Sequence, residues 1–203
     1  MSEINSIIAP SADEAEHAAF RSIDAALRFA YGNCHRGEPD SLAKHAKSTG
    51  GEPRFEDADE RAAWAGDIRR RIATLSDVRQ AILIVRFAPR AFPCSCRRLC
   101  CSGWSRNEEW SEALSRVVEG SVQAVSGQIS NRQLRAGIVR KWAGADRVNI
   151  GILADKSGMH RNTAGKQAHL IRKWLEQLNR AAMDDAALCL SSREVASPMH
   201  GSA

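Results

Sequence analysis

The sequence predicts an all-α protein, in which a helical N-terminal part with a cysteine-rich turn is followed by a C-terminal helix-turn-helix module. Nearly every periodic segment repeats its apolar residues at intervals of three or four, and the alternation typical of β-strands is scarce. The chain has 203 residues, of which 43% are hydrophobic. This is enough to bury a core, and it excludes a wholly disordered protein. We predict a division into residues 1–126, 127–180 and a tail at 181–203.

The first two helices are predicted from their boundary residues. Ser11 is a good N-cap, acidic residues follow it in the first turn, and an apolar stripe runs on until Gly32 ends the helix. Residues 32–56 are polar and contain several glycines and prolines, which predicts a loop. A second amphipathic helix is predicted over about 57–75.

The middle of the chain continues with two more helices and the cysteine-rich turn. Ser76 is expected to cap a third helix, which Pro89 helps to stop. The cysteine-rich turn follows at 93–104. Asn107 then precedes a long amphipathic helix that breaks near Gly127.

The last part of the chain is predicted to hold three helices and a frayed end. The apolar spacing places these helices near 131–143, 149–156 and 161–180. Little periodicity remains after about Asp184, so the tail is expected to be frayed.

Positive charge is concentrated in the C-terminal module. The whole chain has a formal net charge of +5, but residues 127–180 contain eleven Lys/Arg and three Asp/Glu, a net charge of +8. A basic block within helices favours a polyanionic partner such as nucleic acid. The alternative on charge alone is a solvated basic face.

A helix-turn-helix is predicted between residues 150 and 178. Two short helices that cross steeply need a small residue at the crossing, and Ala154 provides it. Four positions later, Gly158 can adopt the positive φ that the turn requires. Met159 is expected to fill the space under the turn, and His160 falls at the N-cap of the second helix.

The second of these helices has a polar face suited to DNA. Arg and Asn side chains make bidentate contacts with guanine and adenine in the major groove, whereas Lys166, Arg172 and Lys173 are better placed for phosphates. Gly165 would let the backbone approach the duplex closely. The residues predicted to contact DNA are His160, Arg161, Asn162, Thr163, Gly165, Lys166, His169, Arg172 and Lys173.

A second interpretation of the same helices stays open. An alanine followed by a glycine four residues later also occurs in ordinary helical hairpins. The protein would then be an interaction adaptor that docks an acidic partner without base-specific contacts to DNA.

Residues 130–178 resemble the C-terminal DNA-binding region of bacterial sigma factors, a layout shared by many LuxR-type and phage regulators. The resemblance rests on Ile138 to Trp142, on the helix and turn from Ile152 to Gly158, and on Arg161 to Ala164 at the start of a long helix. A small helical protein with a cysteine cluster ahead of such a module is similar to phage late-gene antiterminators, the Q proteins. The zinc-binding version of that family has separated Cys-x-x-Cys pairs, which this sequence lacks.

This resemblance implies a phage or prophage transcription regulator that binds double-stranded DNA near a promoter. It also implies RNA polymerase as a protein partner, contacted by the N-terminal part. A second copy of the chain is a further partner that the sequence allows, since many DNA-binding regulators act as dimers.

Four cysteines lie within eight residues and form a candidate structural zinc site. Zinc prefers four soft ligands, and Arg97 and Arg98 would favour thiolates. Cys34 or His35 could complete the site if one of the four does not ligate. The predicted zinc ligands are Cys94, Cys96, Cys100 and Cys101. Reduced thiols that only pack, and redox or disulfide chemistry, are the alternatives, because the spacing is not that of paired Cys-x-x-Cys knuckles.

No catalytic function is predicted. The sequence contains no phosphate-binding loop, dinucleotide fingerprint, zinc-protease motif or nucleophile elbow. It also has no apolar run of the ~20 residues that a membrane helix needs, and its N-terminus lacks the layout of a secretory signal. We therefore expect a cytoplasmic protein without a membrane partner.

Overall fold

The computed structural model describes residues 20, 22–32, 57–94, 103–126, 130–144 and 148–191. In chain order its elements are α1 (Ile23–Gly32), α2 (Ala58–Ile72), α3 (Asp77–Phe87), β1 (Ala91–Pro93), β2 (Trp104–Arg106), α4 (Glu108–Gly120), the 3-10 helix η1 (Ser121–Val125), α5 (Arg132–Trp142), α6 (Ile150–Lys156) and α7 (Arg161–Ser191). The predicted all-α fold is confirmed. The predicted start of the first helix at Ser11 and most of the loop at 32–56 lie outside the described residues.

Capping side chains fix where most of the helices begin. The side chain at the N-cap of α2, α4, α5 and α6 accepts a hydrogen bond from a backbone amide of the first turn, which satisfies a donor that the helix itself leaves unpaired. These caps are Asp57, Asn107, Asn131 and Asn149. Ser76 holds the N-cap position of α3, as predicted, but caps it only through its backbone carbonyl, without a side-chain cap hydrogen bond.

Helix α7 is the structural centre of the described fold. It has 31 residues, so it is about 46 Å long. It packs against α5, α6 and η1, and also against the N-terminal helices α1, α2 and α3. The buried side chains of all these helices belong to one continuous apolar core. The N-terminal part and the helix-turn-helix therefore share a helix and a core.

The C-terminal end of α7 corrects the prediction of a frayed tail. The helix was expected to end near 180, but it continues to Ser191. Ala182 and Ala186 are fully buried, and Arg79 of α3 forms an ion pair with Asp185. Contacts with the N-terminal helices thus hold this segment helical. Residues 192–203, the rest of the predicted tail, lie outside the described residues.

A short antiparallel hairpin flanks the cysteine-rich segment, where the sequence predicted only a turn. Strand β1 pairs with β2 so that Ala91 faces Arg106 and Pro93 faces Trp104. The backbone amide of Cys94 donates to the carbonyl of Gly103 at 2.8 Å, which holds the two ends of the segment together. Within the part of the chain that the structure describes, no helix is long and apolar enough to cross a membrane.

Candidate nucleic-acid interface

The turn between α6 and α7 is a Schellman motif. Gly158 has a φ of +66°, the left-handed value that was predicted for it. Its amide donates to the carbonyl of Asp155 at 3.3 Å, and the amide of Met159 donates to the carbonyl of Ala154 at 2.9 Å. This pair of hydrogen bonds satisfies the last carbonyls of α6 and turns the chain sharply. The glycine thus sets the direction in which α7 leaves the turn.

The residues under the turn pack as the sequence predicted. Ala154 is fully buried, which allows α6 and α7 to approach closely where they meet. Met159 is partly buried against the same core. Helix α5 packs on both α6 and α7, so the three helices form the compact unit that a helix-turn-helix requires.

His160 caps the N-terminus of α7. Its Nδ1 accepts a hydrogen bond from the amide of Asn162 at 3.3 Å, and its carbonyl accepts from the amide of Ala164 at 3.0 Å. The predicted N-cap position is confirmed. Because the imidazole bonds to the helix backbone, it helps to fix the first turn of α7, where the predicted base contacts lie.

Every residue predicted to contact DNA is exposed. Successive residues of an α-helix are 100° apart around its axis, so seven of the predicted contact residues fall within an arc of about 140° on α7. These seven are Arg161, Asn162, Gly165, Lys166, His169, Arg172 and Lys173. A separate arc of about 60° carries the buried residues Ala164, Ala168, Ile171 and Leu175. Because the apolar residues of α7 are buried in the core, the residues predicted to contact DNA face the solvent.

An ion pair joins the two helices across the turn. Arg161 donates from Nε to Oδ1 of Asp155 at 3.1 Å and from Nη2 to Oδ2 at 2.7 Å, which is a bidentate arrangement. The hydrogen bond and charge of Arg161 lower the pKa of Asp155, and the carboxylate raises the pKa of Arg161. The arginine thus has a defined orientation at the start of α7.

Two arginines of α5 contribute less to the positive surface than the sequence suggests. Arg135 is only 6% exposed, and it donates to Oγ of Ser130 at 2.6 Å and to the carbonyl of Val118 at 3.4 Å. Arg132 pairs with Glu119 at 2.7 Å, and this hydrogen bond lowers the pKa of the carboxyl. Arg135 therefore ties α5 to the end of α4, and the charge of Arg132 is partly neutralised.

Gly137 permits the close packing of α5 on α6. A Cβ atom at this position would overlap Cδ1 of Leu153. Real carbon atoms do not approach so closely, so the leucine occupies space that only glycine leaves open. The role of this glycine is not visible in the sequence, because a glycine inside a helix does not indicate which neighbour it accommodates.

Replacing Gly137 with alanine is therefore expected to destabilise the protein by about 1–3 kcal/mol, since Leu153 must move within a packed interface. Gly66 provides the matched control. It is also inside a helix, but an added Cβ would meet no atom within 4 Å. Gly66→Ala should raise the stability by about 0.5–1 kcal/mol through helix propensity alone. Urea denaturation gives the free energy of unfolding of both variants. Equal changes in the two variants would mean that Leu153 does not restrict the residue at position 137.

The structure tests the predicted zinc site only at its edge. Cys94 follows β1 and is half-buried, whereas Cys96, Cys100 and Cys101 lie outside the described residues. Among the described residues, no three His, Cys, Asp or Glu side chains cluster in a way that could hold a metal ion. The zinc site stays a prediction.

Chelation is expected to lower the melting temperature of the protein, because removal of a structural zinc ion removes folding free energy. Metal analysis of the untagged protein should find about one zinc per chain, as a four-ligand structural site requires. Cys96→Ser should lose the metal, whereas Cys189→Ser, which removes a thiol far from the cluster in the sequence, should keep it. Protein with almost no zinc and a melting temperature insensitive to chelator would refute the site.

Comparisons of the chain with protein-family models, with curated proteins and with solved structures find no match.

Proposed function

We propose that this protein binds duplex DNA at specific sequences and regulates transcription, with α7 as the recognition helix. The observation that carries the proposal is the exposed arc of polar and basic residues on α7, directly after the Schellman turn. In helix-turn-helix proteins the second helix enters the major groove and its N-terminal residues contact base edges. Arg161 and Asn162 occupy that place, and both are exposed.

The two kinds of DNA contact are separated along the helix. Arg161 and Asn162, in the first turn, have the donors and acceptors for guanine and adenine. Lys166, Arg172 and Lys173 follow over the next three turns and would neutralise phosphates. From the first to the last of these residues the helix rises about 18 Å.

Gly165 supports the proposal independently of charge. A glycine inside a helix costs stability, and here an added Cβ would meet no protein atom within 4 Å. Packing within the described residues therefore does not require it. Its position on the exposed arc is where a phosphate or base edge would come close to the backbone.

RNA polymerase is the protein partner in this proposal, and late-gene antitermination in a phage or prophage is the regulatory role. Both come from the resemblance to Q-type antiterminators. A transcription assay with purified bacterial RNA polymerase and a terminator downstream of the bound site tests them. Addition of the protein should increase the fraction of transcripts that pass the terminator.

Selection of bound sites from a pool of random DNA duplexes tests the DNA-binding proposal. We expect one motif to be enriched, and its affinity should fall with salt. Three neutralised phosphates predict a slope of about −3 in a plot of log binding constant against log salt concentration.

Failure to enrich any motif would contradict the proposed specificity. Equal binding to all duplexes would mean that the basic arc acts only as a charged surface. The interaction adaptor would then be the better interpretation, and an acidic protein should compete with DNA for the same residues.

A further inference from the structure

We infer that Asp155 positions Arg161 for recognition of a guanine in the DNA site, so that a residue of α6 determines specificity through a residue of α7. The inference rests on the proposed function and adds to it both the base that is recognised and a positioning residue. Asp155 was not among the residues predicted to contact DNA, because its six-residue distance from Arg161 spans the turn and matches no spacing within one helix.

The hydrogen-bonding pattern of the guanidinium carries the inference. An arginine has five N–H donors in a planar fork. The carboxylate of Asp155 accepts hydrogen bonds from the Nε–H and from one Nη2–H of Arg161, and these two donors form one side of the fork. The remaining Nη2–H and both Nη1–H groups are not used by this pair.

The unused end of the fork matches guanine. Its O6 and N7 are neighbouring acceptors in the major groove, and an arginine contacts them with its two terminal nitrogens. Adenine presents a donor beside its N7, so it would face one of these N–H groups with like polarity. A guanidinium held by its Nε side thus keeps one N–H of each terminal nitrogen, side by side, for the two acceptors of a guanine.

The position of the pair supports a role in binding. The two side chains are 71% and 52% exposed, so the pair contributes little to folding. The ion pair holds the otherwise flexible side chain of Arg161 in one orientation before it contacts DNA. Less conformational entropy of that side chain is therefore lost on binding.

A double-mutant cycle tests the inference on the duplex motif selected with the wild-type protein. The base pair contacted by Arg161 is the one at which Arg161→Ala loses its preference. We expect Asp155→Ala to lower the preference for guanine at that base pair by roughly twofold to tenfold. In the Arg161→Ala background, Asp155→Ala should change no base preference. Glu176→Gln, which removes an exposed acidic charge farther along α7, should change the affinity for all sites alike.

Three results would overturn the inference while leaving DNA binding intact. One is an unchanged guanine preference in Asp155→Ala. Another is a higher preference, which would mean that the carboxylate withholds the arginine from DNA. The third is a changed preference in the Arg161→Ala background, which would mean that Asp155 contacts a base itself. A wild-type protein without any base preference would instead refute the proposed function.

Discussion

Leu175→Ala is expected to lower the free energy of unfolding by about 2–5 kcal/mol. Leu175 is fully buried at the middle of α7, the helix that packs on both the helix-turn-helix and the N-terminal helices. Truncation removes apolar contacts and leaves a cavity that a close-packed core can only partly refill.

Leu188 supplies the matched control for this prediction. It is the same residue type on the same helix, but it is 71% exposed. Leu188→Ala should therefore change the stability by no more than about 0.5 kcal/mol. Urea denaturation followed by tryptophan fluorescence and by circular dichroism measures both variants. Equal costs for the two substitutions would show that α7 is not packed as described.

The shared helix also predicts how the wild-type protein unfolds. Because one apolar core connects the N-terminal helices with the helix-turn-helix, the two probes should report a single transition with one midpoint. Two separated transitions would mean that the C-terminal module is stable without the N-terminal helices.

The turn of the helix-turn-helix could be predicted from sequence because its requirements are local. Only glycine adopts the φ of Gly158 without strain, and a small residue such as Ala154 is needed where the helices meet. The asparagine and aspartate caps are predictable for the same reason, since each side chain bonds to an amide two or three residues away.

Features that depend on distant contacts could not be predicted in this way. The last turns of α7 are buried through alanines, which give a weak apolar pattern, and their partners come from the N-terminal helices. The hairpin strands have three residues each, too few for alternation to be visible. The contact of Gly137 with Leu153 and the pairing of Asp155 with Arg161 join different helices, so no periodicity within one helix reveals them.

The double substitution Arg161→Ala and Asn162→Ala is expected to abolish discrimination at the base pairs that these residues contact. Each lost bidentate contact should reduce the preference for the correct base by about tenfold to a hundredfold. Both residues are exposed on α7, so the melting temperature should stay close to that of the wild type. Competition binding with the selected duplex and single-base variants measures the loss.

Lys173→Ala separates base recognition from charge in the same experiment. Lys173 lies on the same exposed arc but is proposed to contact a phosphate. Its loss should weaken binding to all sequences alike and reduce the magnitude of the salt slope by about 1. The double variant, in contrast, should lose preference even when compared at equal overall affinity. If the double variant retained the preference of the wild type and differed only in its salt dependence, base recognition would have to lie on another surface, and α7 would serve only to hold the duplex.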